Sequence, residues 1–158
     1  MRIIVISDSH RDFGRVLSIF ERNQDADLFL FLGDGEREFD DVSGMYPHKK
    51  TFKVCGNCDF ASFAAGMGTI VSEGKKIIFL HGHSHNVKRG TEGVLRLGRE
   101  NDADIVLFGH THQRHYSYND GIHVMNPGSA SCPRDGKKPS YAYIDITSAG
   151  IVCNHVDI

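Results

Sequence analysis

Four short runs, RIIVIS (2–7), LFLFLG (28–33), KKIIFL (75–80) and ADIVLFG (103–109), each carry at least four consecutive apolar residues and stop abruptly at Asp8, Asp34, His81 and His110. Such runs do not alternate polar with apolar residues, and they are too short for independent helices. They therefore read as strands buried on both faces, inside a sheet covered on each side. Between them lie patterns of helical period. Phe13, Val16, Leu17 and Phe20 fall at i, i+3, i+4 and i+7 and give one apolar face to a helix over about 12–23. A shorter helix is expected near 36–43. A third is expected over 87–100, weakened by Gly90, Gly93 and Gly98.

The remaining segments read as strands. TFKVCGN (51–57) leads into a Gly-Asn turn. GTIVSEGKKIIFLHG (68–82) reads as a hairpin turning at Glu73-Gly74, and 114–126 as a hairpin around Asn119-Asp120-Gly121. Residues 140–156 read as a final strand pair. The expectation is one mixed α/β domain over 1–158 with about ten strands. No internal repeat or linker interrupts it.

Composition removes several function classes. A formal charge of −2 and 40% hydrophobic residues fit a globular chain without a broad nucleic-acid or membrane surface. MRIIVIS is too short for a secretory leader, and no apolar run approaches the roughly 20 residues a membrane helix needs. Four cysteines do not make a disulfide framework for a chain of this size, so a cytoplasmic protein with reduced thiols is expected. A homo-oligomer is compatible with all of this.

The strand ends carry the chemistry. In order they present Asp8 and His10, Asp34, Asn57, His81 and His83, then His110 and His112. Six of the ten histidines lie in LHGHSH (80–85) and FGHTHQRH (108–115). Loops at the carboxyl ends of strands converge in α/β folds, and residues i and i+2 share a face. Carboxylates, imidazoles and an amide, without thiolates, suit two divalent cations about 3.5–4 Å apart sharing one carboxylate. Any single member of this set reads as readily as a helix cap, a turn or a solvated histidine. Their co-occurrence points to a metal site.

The series D8-S-H10, G33-D34, G56-N57-C58-D59, H81-G-H83 and G109-H110-T-H112 resembles, in order, the signature of the calcineurin-like metallophosphoesterase superfamily. With N126-P-G-S129 and the short chain, it is most similar to the compact prokaryotic phosphodiesterase branch. The resemblance implies two packed mixed β-sheets flanked by helices, a four-layer α-β-β-α sandwich. It implies two divalent transition metals, manganese first, with iron, zinc or nickel also suited to such ligands. Asp8, His10 and His112 would hold one metal, Asn57, His81 and His110 the other, and Asp34 would bridge. Hydroxide held by the metals would attack a small phosphodiester or nucleotide-like substrate. Asn57, Cys58, Asp59 and His83 would make up the catalytic surroundings, and Asn126 would fix the loop beneath.

There is one departure. Many superfamily members place histidine directly after the motif asparagine, where it can protonate the leaving oxygen, and here that residue is Cys58. A thiol is a weak substitute, so activated esters are the expected substrates. The scaffold subunit of the retromer coat resembles the same family and also lacks that histidine, so a non-catalytic scaffold is the alternative reading. C55-x-x-C58 matches a redox or zinc spacing, yet no second pair completes a four-cysteine zinc site. Arg11 and Arg114 adjoin the ligand loops and are the basic residues expected to meet a substrate phosphate.

Overall fold

The computed structural model describes residues 1–158. Ten strands form two five-stranded sheets with three α-helices outside them. In the first sheet the parallel strands β1 (Arg2–Ile6), β2 (Leu28–Phe31) and β3 (Lys50–Lys53) are extended by antiparallel β9 (Ser140–Thr147) and β10 (Gly150–Asp157), in the order β10-β9-β1-β2-β3. The second sheet has the order β4-β5-β6-β8-β7, from β4 (Met67–Ser72), β5 (Lys75–Leu80), β6 (Ile105–Phe108), β7 (Arg114–Asn119) and β8 (Ile122–Pro127). Strands β5, β6 and β8 run parallel, with an antiparallel strand at each edge.

The apolar runs separate into three clusters by strand periodicity. Ile3 and Val5 of β1, Leu28 and Leu30 of β2, and Ile77, Phe79, Ile105 and Leu107 of the second sheet fill the space between the sheets. The alternate residues Ile4, Ile6, Phe29 and Phe31 face outward against α1 (Phe13–Arg22) and α2 (Glu36–Met45), through Val16, Phe20, Phe39 and Val42. On the other side Ile78, Leu80, Val106 and Phe108 meet Val94 and Leu95 of α3 (Glu92–Glu100). This four-layer α-β-β-α sandwich is the expected one. It explains why the four runs had to be apolar at every position: both faces of each strand are buried.

Two boundaries differ from expectation. Helix α3 begins at Glu92 rather than near residue 87, because Asn86 adopts a left-handed conformation (φ 54°) and Gly90 has φ 140°. A single 3-10 turn, His83–His85, occupies part of the interval. Strand β3 ends at Lys53, since the amide of Cys55 bonds the carbonyl of Ala65 and closes residues 55–65 into a loop. No helix is long and apolar enough to cross a membrane.

Candidate metal centre

Strands β1, β2, β5 and β6 all present their carboxyl ends on one side of the sandwich, and the loops that follow are cross-bonded. The amides of Asp8 and His10 bond the carbonyls of Gly33 and Asp34, and the amide of Gly109 bonds the carbonyl of His81. Five of the positive-φ residues are Asp8, His10, Asp34, His110 and His112, so the expected ligands themselves sit in backbone conformations that other residues avoid. Such close loop packing requires glycine at two places. A Cβ on Gly56 would collide with Asp34, and one on Gly109 would collide with Ser7 Oγ.

The side chains converge in two linked groups. His112 Nε2 lies 3.3 Å from Asp8 Oδ1 and 3.0 Å from His10 Nε2. His81 Nε2 lies 3.3 Å from Asp34 Oδ2 and 3.2 Å from Asn57 Oδ1, with His110 completing that group. Asp34 Oδ2 is also 4.0 Å from His10 Nε2, which makes Asp34 the carboxylate common to both groups.

The second nitrogen of each buried imidazole fixes what the first can do. His81 Nδ1 donates to the carbonyl of Leu32 (2.8 Å) and His112 Nδ1 donates to that of Cys132 (2.7 Å). Each neutral ring then turns an Nε2 lone pair inward, the orientation a metal ligand requires. Asp8 Oδ2 accepts from Ser7 Oγ and from the amide of His110, whereas Asp8 Oδ1 is fully buried with no hydrogen-bond partner. Burying a charged oxygen without a partner is costly, so this atom calls for a cation. The residues fit the metal pair that the motif series implies: with Nδ1 of His81 and His112 turned to carbonyls, ring nitrogens, carboxylate oxygens and the Asn57 amide oxygen converge, the donor set that a divalent cation takes.

Electrostatics agree. Burial pushes the Asp34 carboxyl up, but hydrogen bonding and charge from His81 and the Cys58 amide outweigh it and hold Asp34 well below the usual carboxylate range. Burial lowers His81 and His112, yet the adjoining carboxylates Asp34 and Asp8 raise both above the ordinary imidazole value. Two sites are thus set to attract positive charge. His110 is pushed down to about 4, first by burial and then by His81 and Lys88, so it is neutral and free to coordinate.

The remaining expected residues separate by role. Cys58 is exposed at the rim, with Sγ within 4.8 Å of ligand atoms of His10 and Asp34. Burial and the hydrogen bond and charge of Asp34 raise its thiol pKa. His83 is exposed beside the second group, its ring centroid 5.5 Å from His81 and 6.1 Å from His110. Asp59, expected from the sequence beside the catalytic residues, holds the loops that carry them. Its Oδ2 accepts from the amides of Asp34 and Gly56, and its Oδ1 from those of Gly35 and Glu36, at 2.7–2.9 Å. One carboxylate thereby joins the Asp34 loop to the Asn57 turn.

Asn126 does hold the loop beneath: its Nδ2 donates to the carbonyl of Gly109 and to Thr111 Oγ1, and its Oδ1 accepts from the amide of Gly128. Arg114 does not reach the centre. Its guanidinium donates to the Lys138 carbonyl and to Asp157, which removes it as a phosphate contact. Arg11 lines a cleft of about 1450 Å³ that opens from His10, Asp34 and Cys58.

Three supports escaped sequence reasoning. Buried Glu38 accepts from Ser9 Oγ (2.6 Å) and the Arg11 amide (2.7 Å), bracing the His10 loop from α2. Ser129 and Ser131 donate to the Asp8 carbonyl. The quoted N126-P-G-S129 held a signal for Ser129. Nothing in the helical pattern of 36–43 distinguishes Glu38 from a solvated residue.

Comparison with known proteins agrees with this geometry. The chain is 32% identical over 148 residues to the probable metallophosphoesterase YsnB of Bacillus subtilis, covering 92% of this chain and 85% of that one. It is 28% identical to the phosphodiesterase YfcE of Escherichia coli K12, covering 92% and 88%. A solved structure of a predicted phosphoesterase from Streptococcus pneumoniae superposes with a TM-score of 0.87 at 28% identity, over 99% of this chain and 88% of that one. Vps29 of Entamoeba histolytica, solved in complex with zinc, shares the fold at a TM-score of 0.75 and 21% identity, over 99% of each chain. The model of the calcineurin-like phosphoesterase superfamily domain matches residues 1–149, and this chain belongs to that superfamily.

Proposed function

We propose that the protein is a metal-dependent phosphodiesterase acting on a small phosphodiester at a two-metal site. The observation that carries this reading is the convergence of ring nitrogens, carboxylate oxygens and the Asn57 amide oxygen in two groups that share Asp34, with Asp8 Oδ1 buried and without a hydrogen-bond partner among them. Asp8, His10 and His112 would hold one cation, Asn57, His81 and His110 the other, with Asp34 shared. When bound, two divalent cations supply Lewis acidity toward phosphoryl oxygens and acidify the attacking water. The chain's own contribution is orientation. Leu32 and Cys132 fix the imidazole tautomers, and Asp59 and Glu38 hold the carboxylate-bearing loops. The cleft seats the ester groups of the substrate.

Proton delivery to the leaving oxygen sets the substrate range. Cys58 stands at the rim with a raised thiol pKa, and His83 is held mostly neutral by burial and by His81. Neither is a strong acid at neutral pH, which favours leaving groups that depart as stable anions. The kinship with a protein named as a phosphodiesterase supports the diester assignment.

A scaffold without catalysis is the competing reading, favoured by Cys58 and by the fold shared with Vps29. Hydrolysis of bis(p-nitrophenyl) phosphate by chelator-stripped protein, before and after adding Mn²⁺, separates the two. Turnover that Mn²⁺ restores and Asn57→Ala abolishes is expected. No turnover with Mn²⁺, Zn²⁺, Ni²⁺ or anaerobic Fe²⁺ would reject the enzyme in favour of the scaffold.

A further inference from the structure

The loop that carries Asn57 and Cys58 continues into two phenylalanines that the core does not use. Phe60 is 87% exposed and Phe63 is exposed completely, while every other phenylalanine of the chain is at most 39% exposed. Scattered apolar residues on a surface need no explanation, but two large exposed rings on one short loop beside a polar site do. The loop is not a loose excursion. Its ends are joined by the Cys55 amide and Ala65 carbonyl, and the amide of Ala64 bonds Ser62 Oγ. Its root is clamped by the four amide bonds to Asp59. Both rings line the cleft that opens from His10, Asp34 and Cys58, and Phe13 from the start of α1 lines it as well.

The charge of the cleft narrows the occupant. The α2 side of the cleft is acidic on balance: Glu36, Asp40 and Asp41 stand with Arg37 and with Lys53, which pairs with Glu36 and Asp40, and Arg11 also lines the cleft. A second phosphate or a carboxylate placed along α2 would meet this excess of negative charge. A flat ring without charge would meet the phenylalanines.

We propose that Phe60 and Phe63 form an aromatic shelf that selects phosphodiesters whose ester group is an uncharged aryl or base-like ring. This rests on the phosphodiesterase reading and adds the substrate class. With the phosphoryl group at the metal centre, the ring lies along the cleft against the shelf, gaining stacking and apolar burial. Esters carrying a further anion along α2 are disfavoured by the excess of carboxylates there.

The test uses binding, so it does not depend on turnover. Phenylphosphonate, methylphosphonate and 4-carboxyphenylphosphonate, which share one phosphoryl group, are titrated by calorimetry into the Mn²⁺-loaded protein. Phenylphosphonate is expected to bind about tenfold or more tighter than methylphosphonate, the effect of one ring stack. It is also expected to outbind the carboxylated ring. Phe60→Ala with Phe63→Ala should erase the preference and leave methylphosphonate affinity within about twofold. The chain has no tryptophan, so Phe63→Trp adds a single fluorophore whose emission should change on adding phenylphosphonate and not methylphosphonate. Equal affinities, no binding of either compound, or a preference that survives the double substitution would overturn the shelf. So would a wild-type dimer in sedimentation that the double substitution converts to monomer, which would assign the rings to a second copy. Turnover of bis(p-nitrophenyl) phosphate, measured alongside, reports separately on the enzyme reading.

Discussion

Replacing Asp59 by asparagine should damage the metal centre without touching it. The carboxylate accepts four backbone N–H bonds, two on each oxygen. Whichever oxygen becomes the amide nitrogen, two N–H groups lose their acceptor and face a donor. The other two bonds weaken from charge-assisted to neutral. A hydrogen bond to a charged group contributes about 1.5–3 kcal/mol and a neutral one about 0.5–1.5. Asp59 is half-buried, and water can recover part of the loss, which places the expected cost near 3 kcal/mol. For a chain of this size that corresponds to a fall in Tm of about 6–12 °C. Because the two loops carry Asp34 and Asn57, Mn²⁺ affinity should fall about 10–100-fold, as it does when groups that orient ligands are removed. Urea denaturation of the metal-free protein and calorimetric Mn²⁺ titration read the two effects. Unchanged stability and Mn²⁺ affinity with strongly reduced turnover would refute the positioning role and return Asp59 to the chemistry.

Other expectations follow from the same contacts. Cys58→His should raise turnover of esters with basic leaving groups by about 100-fold, the lower end of the usual range of general acid catalysis, and change p-nitrophenyl esters little; a uniform change across leaving groups would contradict the missing-acid account. Gly109→Ala should prevent Mn²⁺ binding at both sites, since its Cβ would displace Ser7 and Asp8, and near-normal metal affinity would show that the loop has slack the packing denies. The Arg2 guanidinium, by hydrogen bond and charge, holds the Asp145 carboxyl below its ordinary value. The pair therefore stabilises the fold above the unfolded carboxylate pKa and loses this as pH falls through the lower folded value. The pair is partly exposed, so Asp145→Asn should cost about 0.5–1 kcal/mol at pH 7 and nothing measurable near pH 2, by urea titration at each pH.

Most of the proposed ligands were legible in the sequence because they stand where an apolar run stops or two residues beyond it. A strand buried on both faces cannot carry Asp8 or His81 in its interior, so their positions marked both the strand ends and the site. The tautomers were not legible, since they depend on the carbonyls of Leu32 and Cys132, brought in by chain 49 and 20 residues away. Glu38, and the backbone partners of Asp59, were opaque for the same reason: these carboxylates bond other loops, which leaves no side-chain pattern to read. The late start of α3 was hidden because the left-handed Asn86 has no marker beyond the nearby glycines. Arg114 looked available beside a ligand loop, and only the register of β7 against β8, with Asp157 and Lys138 close by, showed it to be engaged.

The most direct measurement is the electron paramagnetic resonance of the chelator-stripped protein titrated with Mn²⁺. Two equivalents should bind, with a spin-coupled signal from two ions sharing Asp34, and Asp34→Asn should abolish the coupling. A single bound ion, or two that remain uncoupled in the wild-type protein, would contradict the shared-carboxylate centre from which the proposed chemistry is built.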